Sequence, residues 1–100
     1  MLIESKSFPL GELPKGTKAI ISQVGYLGSD LSKSSETKLF IKKILKMGFT
    51  EGTLIEIVHE APFTRDPIMI RIRNSLIALR RHDANAIKAQ PCSFEVLNKD

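Results

Sequence analysis

Residues Ile68 to Arg73 alternate strictly, with Ile68, Ile70 and Ile72 on one face and Met69, Arg71 and Arg73 on the other. A period of two is the mark of a strand with one buried face. Asn74-Ser75 follows as a two-residue connection, since asparagine accepts positive φ, and Leu76 to Arg80 returns as an antiparallel neighbour. Thr17 to Val24 (TKAIISQV) lies after a turn signal at Pro14 to Gly16, and Thr53 to Glu60 (TLIEIVHE) lies after Glu51-Gly52; both read as strands. His82 to Ala86 reads as one helical turn before a short last strand at Ile87 to Gln90, and Pro91 opens a tail.

Between Glu36 and Met47 the period changes. Phe40, Ile41, Ile44, Leu45 and Met47 share one arc and Lys38, Lys42, Lys43 and Lys46 the opposite one, which predicts an amphipathic helix. Ser35 is placed to cap its N-terminus and Gly48 its C-terminus, while Leu39 points with the lysines. The polar stretch Gly28 to Thr37 before it reads as a loop. Five short strands with one inserted helix (residues 36–47) and a helical turn (82–86) predict a mainly β fold, a small barrel.

A chain of 100 residues, 42% of them apolar, suffices for one domain that hides roughly 60 to 70% of its unfolded surface, and not for two. The formal charge of +4 permits attraction to acidic proteins, anionic headgroups or nucleic acid without choosing a fold. A single cysteine, Cys92, excludes an intramolecular disulfide and suits a reducing cytoplasm. Met1 to Leu10 lacks the basic and apolar regions of a signal peptide. No apolar run approaches the roughly 20 residues that cross a bilayer, so any membrane connection is expected through a partner or the surface.

A zinc site takes three or four converging ligands, and His59, His82 and Cys92 stand apart with no paired motif. His59 reads as the edge of a strand and His82 as part of a solvated turn, so neither a metal site nor a cofactor is expected. There is no strained G-x-S-x-G elbow, and Gly25 to Gly28 (GYLG) lacks the Lys and Ser or Thr of a nucleotide loop. Glu51, Glu56, Glu60, Asp66 and Asp83 are spread over several elements as solvated charges, and no enzyme activity is expected. A basic stripe of Lys42, Lys43, Lys46, Arg71, Arg73, Arg80 and Arg81 keeps nucleic-acid binding as a second reading. Against it, base stacking needs exposed aromatics, and the chain has one tyrosine, Tyr26, and no tryptophan.

Four segments in series, Lys42 to Thr53 (KKILKMGFTEGT), Ala61-Pro62-Phe63, Asp66-Pro67-Ile68 and Ala78-Leu79-Arg80-Arg81, resemble the ferrous iron transport protein A family, FeoA, within a match running from Leu10 to Ala89. Each also has a physical reading: Gly48 ends the helix, Gly52 makes a turn, Pro62 and Pro67 stiffen an exposed loop, and Ala78 keeps a packed position small. The chain departs from the family pattern in three places. Glu51 stands where proline is frequent, Thr64-Arg65 replaces a single glycine before Asp-Pro, and Pro91 to Asp100 extends past the usual end.

The resemblance implies an SH3-like barrel over residues 1–90 with an extension at 91–100, and transition metal ion binding at the level of the family. It implies a cytoplasmic accessory protein, peripheral to the inner membrane, that binds and modulates the ferrous iron permease FeoB near its cytoplasmic GTP-binding domain. A lone metal-responsive regulatory domain is a third reading, from similar barrels in metal-responsive repressors. On the FeoB reading the expected contacts are Leu39 as an apolar anchor, Lys42 and Lys46 as steering charges, and Phe63, Arg65 and Asp66 on the Ala61 to Pro67 loop. The groove between the Phe40 to Met47 helix and the barrel completes that surface, and pairing of two copies through a sheet edge or this groove stays open.

Overall fold

The computed structural model describes residues 6–25 and 35–92. Along them run β1 (Phe8–Pro9), a 3₁₀ turn (Leu10–Glu12), β2 (Lys18–Val24), α1 (Ser35–Lys46), β3 (Leu54–Glu60), β4 (Ile68–Ile72), β5 (Ser75–Leu79), α2 (Arg81–Ala84) and β6 (Ile87–Pro91). The strands form one antiparallel sheet in the order β1-β6-β2-β3-β4-β5. Bulges between Ile21 and Gln23 and between Ile57 and His59 break the register. Such irregularities add local twist and help a small sheet curl around its own core.

That core is the inward face of the alternating strands. Ile55 and Ile57 from β3, Ile68, Ile70 and Ile72 from β4, and Ile87 and Ala89 from β6 are buried together, with no buried polar or charged residue among those described. Burying each such isoleucine contributes about 1.5–3 kcal/mol. The helix adds Ile44, fully buried, with Phe40 and Met47 packed against the cluster. Its end is fixed by the backbone: Phe49 N–H donates to Ile44 O at 3.1 Å and Gly48 N–H to Leu45 O at 3.1 Å, with Gly48 at φ +108. This is a Schellman closure, and its hydrophobic clasp is the buried pair Ile44 and Phe49.

The structure departs from the sequence expectations in identifiable places. A sixth strand, β1, is present; it is two residues long and ends in proline, so no alternation marks it, and pairing of Phe8 with Ala89 defines it. The β4–β5 connection is Arg73-Asn74, one residue earlier than expected, because Ile72 pairs with Ser75 and Arg73 takes φ +55. Ser35 is the first residue of α1, not its cap. Ala78 is exposed rather than packed, since Ile77 is the residue of that pair that leans on the core. Pro91 closes β6, and Cys92 N–H continues the edge by donating to Lys18 O at 2.8 Å. Tyr26 and residues 93–100 lie outside the described residues.

Candidate docking site

The loop between β3 and β4 is short and internally bonded. Ala61 N–H donates to Pro67 O at 3.0 Å and closes its base, and Arg65 N–H donates to Ala61 O at 2.9 Å across the turn. The Thr64 hydroxyl donates to Asp66 O at 3.0 Å and accepts from Asp66 N–H at 3.3 Å. Phe63 at φ +68 and Arg65 at φ +64 occupy the left-handed region, which side chains with a Cβ rarely enter. The Asp66–Pro67 peptide is cis.

Arg81, at the start of α2, holds this loop from below. Its Nε donates to Arg65 O at 2.8 Å, its Nη1 to Gly11 O at 3.0 Å and Leu13 O at 2.8 Å, and its Nη2 to Glu60 Oε1 at 2.8 Å. Its backbone N–H donates to Asp66 Oδ1 at 2.9 Å. The planar fork of a guanidinium suits four acceptors spread in this way, which a lysine could not reach together. Both charged groups of the Arg81–Glu60 pair are about one-fifth exposed, at 21% and 23%, so screening limits the ion pair itself; satisfying the carbonyls matters more.

The outcome is an aromatic held away from the protein. Phe63 is 100% exposed, on a loop whose neighbours are fixed by hydrogen bonds. Arg65 is exposed beside it, whereas Asp66 is half-buried and spends one carboxylate oxygen on Arg81. The loop thus brings Phe63, Arg65 and Asp66 together. Leu39, 64% exposed, lies on α1 with the exposed Lys42 and Lys46, while Phe40, Ile44 and Met47 fill the space between that helix and the barrel. Sequence reasoning did not find the bracing role of Arg81 or Gly11, because their mutual contacts join residues 70 positions apart.

Other chemistry is sparse among the described residues. No three His, Cys, Asp or Glu side chains converge as a metal site, and His59 and His82 are both exposed. Burial pushes the Cys92 thiol above its ordinary value, with the Lys18 charge pulling partly the other way. A thiol so placed is less nucleophilic at neutral pH than a free one.

The fold defines a small SH3-like barrel, and the braced loop gives it an outward-facing aromatic. The FeoA domain model matches residues 8–91, and the chain belongs to the FeoA family, which is associated with ferrous iron transport. It is 38% identical over 81 residues to the "Fe(2+) transport protein A/Fe(2+) transporter FeoB fusion protein" of Porphyromonas gingivalis (strain ATCC BAA-308 / W83), a match covering 81% of this chain and 8% of that protein. The solution structure of a FeoA-like protein from Clostridium acetobutylicum is 27% identical, with a TM-score of 0.67 and coverage of 88% of this chain and 90% of that one. The crystal structure of Stenotrophomonas maltophilia FeoA complexed with zinc, described as a procaryotic SH3 domain protein, has 21% identity, a TM-score of 0.62 and coverage of 87% and 89%.

Proposed function

We propose that this chain is an accessory protein of ferrous iron uptake that docks on the cytoplasmic side of the membrane permease FeoB and modulates it by binding, without catalysis. The observation that carries this reading is the relative in which a FeoA segment and a FeoB transporter are one polypeptide. Fusion holds two partners at high effective concentration, and is useful where they work in contact. No helix among the described residues is long and apolar enough to cross a membrane. In this reading, attachment to the permease supplies the peripheral location.

Phe63 is the main anchor, because an exposed aromatic on a loop already fixed loses little conformational freedom on binding. Leu39 adds a second apolar contact, Lys42 and Lys46 steer the approach, and Arg65 and Asp66 flank the anchor. The test is a pull-down of the full chain with the soluble GTP-binding domain of the permease. Phe63→Ala and Leu39→Ala are expected to weaken capture while the proteins stay folded; capture equal to wild type for both would sink the assignment.

A further inference from the structure

β5 is the last strand on its side of the sheet, and among the described residues nothing pairs with its far side. The parity of the sheet identifies which of its backbone groups are unspent. Ile57 gives its N–H to Thr17 O at 2.9 Å and accepts from Gly16 N–H at 2.7 Å, both on the side away from β4. Ile57 stands opposite Ile70, and Ile70 opposite Ile77. Alternate residues of an antiparallel strand bond to opposite neighbours, so Ile70 and Ile77 bond each other, and Leu76 and Ala78 direct N–H and C=O outward.

Free edges are ordinarily blunted by charge, proline or a bulge. The opposite edge fits that rule, since β1 is two residues long and contains Pro9. β5 does not: its sequence Ser-Leu-Ile-Ala-Leu carries no charge, proline or glycine, and Leu76 is 57% exposed. Beside it on the outer face lies a mostly apolar cavity of about 260 Å³, lined by Met69, Ala78, Pro67, Ala61 and Ile68 together with the polar His59 and Glu60. A small side chain at position 78 leaves that cavity open to a residue added alongside. The acids near it are already engaged: Glu60, which lines the cavity, pairs with Arg81 at 2.8 Å, Glu56 pairs with Arg71 at 3.6 Å, and Asp66 accepts from the Arg81 backbone. Arg80, just past the strand, is exposed with no acid bonded to it among the described residues, whereas Arg73 at the other end is exposed with its Nη2 donating to Thr53 Oγ1 at 3.4 Å on the β3 side.

We propose that β5 binds an extended segment of a partner protein as an added strand, with an apolar side chain of that segment seated in the cavity beside Ala78 and an acidic end of the segment facing Arg80. Backbone bonds supply the attraction in this mode and the pocket supplies the selectivity. A second copy of the chain fits worse. The register that spends the outward groups of both strands sets Leu76 opposite Ala78 and Arg80 opposite Asn74, next to Arg73, so neither copy offers an acid to the other's arginine. The cavity adjoins Ala61 and Pro67, the two ends of the loop that carries Phe63, but the proposal does not rest on docking to the permease.

The test is fluorescence anisotropy of a labelled synthetic peptide, EDTVTLTVDE, titrated with the full chain. Saturable binding is expected, and N-methylation of alternate peptide amides should weaken it about tenfold or more by removing backbone donors. Leu76→Pro removes only an outward N–H, so it should weaken binding comparably with little change in melting temperature. Exchange of the peptide acids for lysine should also weaken binding. If Leu76→Pro disturbs folding, the N-methylated peptide against wild type still decides. No saturable binding, an N-methylated or lysine peptide within about twofold of the parent, or a wild-type dimer that Leu76→Pro dissociates would each overturn the proposal.

Discussion

Gly11 lies so close to the backbone of Arg81 that a Cβ at position 11 would overlap the Arg81 carbonyl oxygen and the side-chain oxygen of Asn85. The relationship runs both ways, because Gly11 O accepts from Arg81 Nη1 at 3.0 Å. Arg81 in turn holds Arg65 O and Asp66 Oδ1. A close approach that only glycine permits therefore sets the position of the residue that braces the Phe63 loop.

Gly11→Ala is expected to destabilise the fold by about 2–3 kcal/mol, the range of an overpacked core site. For a domain of this size the melting temperature should fall by roughly 10–20 °C. Gly16→Ala is the control, because nothing lies within 4 Å of a Cβ there and only its φ of +95 is strained. Thermal melts of the two variants side by side check the assignment, and an equal loss in both would assign the effect to glycine backbone freedom and not to the Arg81 contact.

Arg81→Ala strands the Gly11, Leu13 and Arg65 carbonyls and leaves Glu60 without its cation. A loss of about 2 kcal/mol is expected, discounted for the partial exposure of the pair. Arg81→Lys keeps a charge near Glu60 but not the fork, so it should recover only part of that loss. Urea titration reads this directly: the midpoint should move in the order wild type, lysine, alanine, with the slope unchanged.

Much of the fold was legible because it rests on local signals. Alternating isoleucines marked β4, the lysine-opposed arc marked α1 except for Leu45, which is exposed rather than packed, and Gly48 marked the end of that helix. What stayed hidden depends on pairing across the chain. β1 exists only through β6, and Arg73 rather than Asn74 takes the positive φ only because of the register of Ile72 with Ser75. The same holds for the loop: the family resemblance places Phe63 on the Ala61 to Pro67 segment, but the brace beneath it comes from Arg81 reaching residues 15 to 70 positions away.

Cys92 gives a prediction in pH. Its thiol is raised mainly by burial and lowered in part by Lys18, so the folded protein holds the proton to higher pH than the unfolded chain. That contribution to stability is present below the unfolded thiol's value and is lost as pH rises through the folded one. Cys92→Ser should therefore flatten the alkaline end of the stability profile. Alkylation by iodoacetamide near neutral pH should be slower than for a free thiol, and slower again in Lys18→Ala, where the thiolate loses its nearby cation.

Two phenylalanines test the division between core and surface. Phe49 is fully buried under the closure of α1, and Phe49→Ala should cost about 3–5 kcal/mol. Phe63 is fully exposed at φ +68, a conformation that glycine adopts freely. Phe63→Gly relieves that strain while adding freedom to the unfolded chain, so the net change should lie between zero and about 1 kcal/mol of added stability. Capture by the permease domain should fall in the same variant. Were Phe63→Gly to destabilise the fold as Phe49→Ala does, the side chain would belong to the packing of the barrel and could not serve as an anchor for a partner.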